Sequence, residues 1–295
     1  MPLDADKVHR NLRKLRKLLR KPKARPSAER VHDLRTGTRE VDATLGALGL
    51  DRRRNERRLQ SGLRRVRKRA GKVRDMDVLT RHLLALAPRD GDEAPCRVEL
   101  LQLLGAERYR HADRLRAVLR RDGKALDRRL ARADRRIARC LPDDSTPPPE
   151  AGAQAMATAL SFASGLAMPA KLTRTTLHAY RLKVKDLRNV LKLATDADRA
   201  DLVAQLGEIK DAIGEWHDLE TLAALASAEL SHGPRCGLVH EIRARSQRSY
   251  RHALALTNAL RASTLLSGRR RRRTGVAAAR RPPLPVLEAT AAMSA

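Results

Sequence analysis

Five aromatic side chains, Tyr109, Phe162, Tyr180, Trp216 and Tyr250, serve all 295 residues. Sheet proteins fill their cores largely with aromatic and β-branched side chains, whereas this chain is rich in Ala, Leu and Arg, which favour helix. The fold class read from this feature is all-α. The same scarcity removes the aromatic platforms on which proteins usually stack the bases of single-stranded nucleic acid.

Apolar spacing places the helices. Val8, Leu12, Leu15 and Leu19 recur at intervals of four, three and four, predicting an amphipathic helix that Pro22 and Pro26 end. Ser27 is the expected cap of a second helix, whose stripe is Val31, Leu34, Thr38, Val41, Leu45 and Leu48. A third is expected over about 51–87, interrupted by Gly62 and Gly71. A fourth reaches about Arg121, and Asp122 with Gly123 suggests a bend before a fifth ending at Cys140. Residues 142–153, PDDSTPPPEAGA, read as a linker, after which helical pattern returns over 155–167, 171–196, 198–231 and 235–266. The Arg-, Ala- and Pro-rich remainder, 267–295, is expected to be a disordered tail outside a helical body over 1–266.

The two sides of the linker resemble each other. VHDLRTGTREVDATL from Val31 aligns with LHAYRLKVKDLRNVL from Leu177 at an offset of 146, and GKVRDMDVL from Gly71 with GEWHDLETL from Gly214 at 143. Two matches in one order and at nearly one separation imply a duplicated unit. The expected architecture is a pair of four-helix bundles, from repeats over about 4–141 and 154–266, related by pseudo-twofold symmetry around a basic groove.

Basic residues number 63 against 34 acidic ones, a formal charge of +29, and 50 of the 63 are arginine. A folded chain so charged repels itself unless a polyanion gathers on it. In the first repeat His32, Arg35 and Arg39 fall within about 60° on one helix face; in the second, His178, Arg181, Lys185, Arg188 and Lys192 span about 80°. The second matched segments add Arg67, Lys68, Lys72 and Arg74, and then Lys210 and His217. These ladders are either solvated faces neutralised by neighbouring acids or the walls of a shared surface that takes phosphoryl groups. The histidines fit packed positions at the core edge as well as donors to phosphate oxygen.

Asp75 and Asp218 stay acidic in both repeats. Their expected work is to fix an Arg or His, with a plain interhelical salt bridge as the alternative. Asp75 and Asp77 are too few carboxylates to argue for a metal, and no phosphate-binding loop, nucleophile elbow or zinc-protease pair occurs. No enzyme activity and no cofactor are expected. Cys96, Cys140 and Cys236 make neither a zinc pattern nor a disulfide framework, and no stretch approaches the roughly 18 apolar residues of a membrane span; a cytoplasmic protein is the expectation.

The H-x-x-R-x-x-x-R/K segments, VHDLRTGTREV and LHAYRLKVKDLR, each followed by a glycine-led GKVRDMDVL or GEWHDLETL, resemble the two repeats of the CHAD family, the conserved histidine α-helical domain. The resemblance runs from about 5 to 266. It implies two similar helical bundles, a basic central groove, binding of inorganic polyphosphate and, for some relatives, association with polyphosphate granules. The family's basic motif falls on His32, Arg35, Arg39, His178, Arg181 and Lys185, and its acid-containing motif on Arg74, Asp75, Asp77, His217, Asp218 and Glu220. Glu40 and Asp186 stand where the family commonly has a basic residue. Nucleic acid is the competing polyanion, because phosphate contacts alone give affinity without base specificity, and a phasin-like structural role on granules is a third reading. The residues fix no oligomeric state.

Overall fold

A computed structural model describes residues 5–86, 93–140, 171–191, 200–231 and 233–277, which are all-α, with no strand among them. The helices are α1 (Ala5–Arg20), α2 (Ala28–Ala47), α3 (Arg54–Leu84), α4 (Glu93–Cys140), α5 (Arg174–Leu191), α6 (Ala200–Glu229) and α7 (Gly237–Ala277), with a 3-10 turn, Gly233–Arg235, before α7. No helix among the described residues is long and apolar enough to cross a membrane. The expected linker 142–153 and the helix over 155–167 lie outside the described residues.

Local chemistry starts and stops these helices as the residues dictate. Ser27 caps α2, its hydroxyl accepting from the Arg30 N–H at 3.2 Å, and Gly49 leaves that helix at a φ of 62° that other residues rarely adopt. At the start of α5, Thr173 and Thr176 cap each other: the Thr173 N–H donates to Thr176 Oγ1 at 2.9 Å and the Thr176 N–H to Thr173 Oγ1 at 3.4 Å. That fixes the frame from which the second ladder projects.

Two expectations about breaks within helices are corrected. Asp122 and Gly123 make no bend, and α4 is one continuous 48-residue helix. Gly123 is there for close approach, since a Cβ on it would stand 2.7 Å from the Leu19 carbonyl oxygen of α1. Nor do Gly62 and Gly71 interrupt α3; a Cβ at Gly62 would meet Leu126 Cδ2 at 2.4 Å, so α3 and α4 cross tightly at that point. At the other end, α7 carries helical backbone past 266 and through Arg269–Arg273 to Ala277.

Among the described residues the helices bury three apolar cores. One gathers α1, α2, the first part of α3 and the later part of α4 around Leu12, Leu15, Leu45, Leu59, Leu63 and Leu130. Another gathers α5, the first part of α6 and the later part of α7 around Leu177, Tyr180, Val184, Leu206, Ile213 and Trp216. The third joins the end of α3, the start of α4, the end of α6 and the start of α7 through Leu83, Leu100, Leu104, Leu222, Ala226 and Val239. Because α3, α4, α6 and α7 outrun the shorter helices beside them, their apolar faces continue into this middle core and hold the two sides together.

Candidate anion-binding seam

The α2 and α5 stripes are buried, which leaves their basic ladders on the adjoining face. On α2, His32 is exposed, with Nε2 3.5 Å from Thr36 Oγ1, and Arg35 is half-buried over α3. Arg35 occupies a seat made by a missing side chain: a Cβ at Gly71 would stand 2.8 Å from its Nη1. The second side repeats the device. A Cβ at Gly214 would lie 3.1 Å from Nη2 of Arg181 and one at Gly207 3.2 Å from Nε of Arg188. Arg181 Nε donates to the Lys210 carbonyl at 3.1 Å and Arg188 Nε to the Val203 carbonyl at 3.2 Å, each carbonyl four residues before the glycine. One N–H of each guanidinium is thus tied to backbone while its outer nitrogens remain to meet an anion.

The ladders of the two sides meet. Lost hydration is the first cause that lowers the pKa of Arg39, and repulsion from Arg67 and then from Arg181 of the other side adds to it. Arg35 is shifted the same way, by lost hydration first and then by Arg39, against the attraction of Asp75, with Arg74 and Arg67 adding further repulsion. Arg67 is held by Asp42 at 2.5 Å and by the Thr38 carbonyl at 3.4 Å. Next to this cluster His178 and His217 pack ring against ring, tilted by 42° with centroids 4.4 Å apart, and His178 Nδ1 is buried without a partner among the described residues. Burial, His217 and Arg181 in that order lower the His178 pKa.

Other expected residues stand further out. Lys68 and Lys72 are exposed on α3, while Lys185 pairs with Asp186 at 3.4 Å and Lys210 with Asp211 at 2.7 Å. Lys192 lies outside the described residues. Glu40 acts electrostatically on Lys14, behind the hydrogen bond that Lys14 Nζ donates to Asp33 at 2.9 Å.

The acids divide by role. Asp75 is open to the seam and makes no hydrogen bond to a described residue; desolvation raises its pKa, Arg35 and Lys72 oppose that, and Asp218 adds to it. Asp218 approaches His82 Nε2 at 3.9 Å. The acids that do fix an arginine are the next ones in each motif. Asp77 accepts from Arg108 Nε at 2.6 Å, and Glu220 accepts from Arg174 Nη1 at 2.8 Å and from the buried Ser246 hydroxyl at 2.6 Å. His82, His111, Arg108 and Arg174 escaped the sequence reading. His82 shares a helix face with Asp75 seven residues earlier, a signal that was available; His111 comes from α4 and only the fold brings it near Lys72 and Asp75. Among the described residues no group of three or more His, Cys, Asp or Glu is placed to hold a metal ion.

The family model of the CHAD domain matches residues 7–227, three quarters of the chain. The chain belongs to the CHAD family. Polyphosphate binding is a known property of CHAD domains, which are generally not catalytic. The match takes in both ladders, both glycine-led segments and α1 to α6 up to Ser227, and stops before α7. Comparison with curated proteins and with solved structures finds no match. For this CHAD domain the guanidinium seats, the repulsion of Arg39 by Arg181 and the tilted His178–His217 pair are therefore features drawn from its own structure.

Proposed function

We propose that the protein binds inorganic polyphosphate without chemical turnover, along the seam where the α2 and α5 ladders converge over α3 and α6. The observation that carries this reading is the repeated seating of ladder guanidiniums, Arg35 over Gly71 and Arg181 over Gly214, beside the repulsion of Arg39 by Arg181 across the two sides. Cations from separate ladders set close enough to repel one another form a site that an anion relieves, and an anion without bases is matched fully by a site without aromatic platforms.

His32, Arg35, Arg39, Arg67, Arg74, His178, Arg181, Arg188 and His217 form the inner track in this proposal, and Lys68, Lys72, Lys185, Lys192 and Lys210 its flanks. Asp75 and Asp218 are supporting acids that limit how many protons and cations gather there. The binding body is taken as 1–266, built from repeats over about 4–141 and 154–266, at work in the cytoplasm and on polyphosphate granules. Because a long polymer engages both ladders and pyrophosphate does not, affinity rises with chain length. Competition binding at physiological salt among long polyphosphate, pyrophosphate, single-stranded DNA and duplex DNA tests the reading. Long polyphosphate is expected to compete best for a probe bound at the seam. Equal affinity per site for pyrophosphate and a polymer of about 100 phosphates would refute a continuous track.

A further inference from the structure

The two sides of the fold carry very different charge. Residues 1–140 hold 41 Lys and Arg against 19 Asp and Glu, whereas residues 171–277 hold 20 against 11. Both sides furnish a ladder, so the seam leaves the excess on the first side unexplained. Much of it stands on the outward face of α4. Arg120, Lys124, Arg128 and Arg132 follow at intervals of four, Arg135 and Arg139 continue the line, and all six are exposed with no acid in ion-pair contact among the described residues. At about 1.5 Å of rise per residue the stripe is roughly 28 Å long.

The acids of the same stretch point the other way and are already engaged. Asp122 is held by Arg65 and Arg121, Asp127 by Arg16 at 2.8 Å and Arg20 at 2.9 Å, and Asp134 by His9 at 2.7 Å. Like charges four apart on a helix disfavour it by roughly 0.2–0.5 kcal/mol per pair, and no ion pair among the described residues offsets that here. On α7 the outward face is thinner in charge: Arg248 pairs with Glu241, Arg243 donates to Ser227, Arg251 is exposed, and Ala255, Asn258 and Ala259 follow.

We propose that the outward face of α4 is a second polyanion surface, separate from the seam, that takes duplex nucleic acid by its phosphate backbone. The stripe is set on one continuous helix, so it can follow a stiff duplex without a loop having to be ordered. A duplex presents about one charge per 1.7 Å of axis, and its displaced counterions drive binding. Single strands are disfavoured because the stripe has no aromatic side chain; the exposed Tyr109 lies well before it, under Arg25 at 5.6 Å. Only small Ala side chains, at 131 and 138, interleave the cations, so there is no apolar wedge for a membrane. None of these cations has a glycine seat like those of Arg35, Arg181 and Arg188, and among the described residues only Arg132 is tied to backbone, its Nε donating to the Arg128 carbonyl at 3.4 Å, which suits contact with many phosphates in no fixed register. The proposal does not rest on polyphosphate binding at the seam.

The test uses the full chain with Arg120, Lys124, Arg128 and Arg132 replaced by Gln, and separately with Arg135 and Arg139 replaced by Gln. Each is titrated against a 30-base-pair duplex, the matching single strand, anionic vesicles of phosphatidylglycerol and long polyphosphate, at several salt concentrations. The fourfold variant is expected to lose at least about tenfold in duplex affinity and about three to four from its log–log salt slope, while its polyphosphate affinity stays within about twofold. The twofold variant is expected to show a smaller loss in the same direction. A duplex affinity that survives these changes but falls when Arg35, Arg39, Arg181 and Lys185 become Gln would place the duplex at the seam and overturn the proposal. Equal loss for single strand and duplex, or binding of vesicles with none of duplex, would overturn the choice of partner. Unfolding curves are recorded for every variant; if the fourfold variant unfolds, the twofold one decides by the same outcomes.

Discussion

Replacing Gly214 by Ala separates the geometry of the seam from its charge. The new Cβ would stand 3.1 Å from Nη2, 3.3 Å from Nε and 3.5 Å from Cζ of Arg181. A guanidinium is the far end of a flexible side chain and gives way, losing its 3.1 Å bond to the Lys210 carbonyl. Two effects on stability then oppose each other. Alanine in a helix interior gains roughly 0.5–1 kcal/mol over glycine, and the lost hydrogen bond costs about 0.5–1.5 kcal/mol. Thermal stability should therefore move by less than about 1 kcal/mol in either direction. Affinity should not be spared. A released Arg181 must be ordered again by the ligand at about 0.5–1.5 kcal/mol, so long polyphosphate should bind about two- to tenfold more weakly at unchanged net charge.

The assay is fluorescence competition with long polyphosphate at near-physiological salt, on Gly214→Ala, Arg181→Gln and the double variant, with unfolding followed by circular dichroism. In the double variant the alanine should cost nothing more, because the guanidinium it displaces has gone. Wild-type affinity in Gly214→Ala, or the same loss with and without Arg181, would refute the idea that the glycine seats the arginine. Failure of the wild-type chain to bind polyphosphate at all would instead refute the proposed function.

Exchanging Arg35, Arg39, Arg181 and Lys185 for Gln should weaken polyphosphate binding at least about tenfold more than exchanging Arg269, Arg270, Arg271 and Arg272, although each set removes four charges; equal losses in competition titrations would favour a diffuse basic coat. Glu56 is fully buried and holds Arg136 Nη1 through both carboxylate oxygens, at 2.8 and 2.7 Å, so Glu56→Ala should cost about 2–4 kcal/mol in denaturant unfolding, the 38% exposure of Arg136 keeping it toward the low end; a loss under about 1 kcal/mol would show that the pair contributes little. His178 is held below its usual pKa by burial, His217 and Arg181, so the unfolded chain binds its proton more tightly. Its contribution to stability is thus intact above about pH 6.5 and is lost as pH falls toward the folded value. Unfolding curves between pH 7.5 and 5 should accordingly fall off less steeply for His178→Gln than for the wild type, and parallel slopes would contradict this.

Much of the helical fold was legible because its signals are local. Poverty in aromatics and the spacing of Val8, Leu12, Leu15 and Leu19 speak for amphipathic helix within a few turns of chain, and Ser27 caps α2 through a bond to a residue three positions on. The ladders were legible for the same reason: residues three and four apart share a face whatever that face later meets. What they meet was not. Gly123 reads as a breaker by propensity, yet contact with Leu19, more than a hundred positions away, makes it a point of close packing inside a continuous helix. In the same way, the pairing of Asp77 with Arg108 and of Glu220 with Arg174, the approach of His111 to Asp75 and the meeting of Arg39 with Arg181 all join separate helices. The sequence by itself determined the helices, the faces they bury and the basic residues left beside those faces, since periodicity is written in neighbouring residues. Which cations crowd together, which acid holds which arginine and where a guanidinium finds a seat were decided by the crossings of long helices, because a shift of one turn between two helices, about 5.4 Å, exchanges every such partner while leaving the periodicity of each helix unchanged.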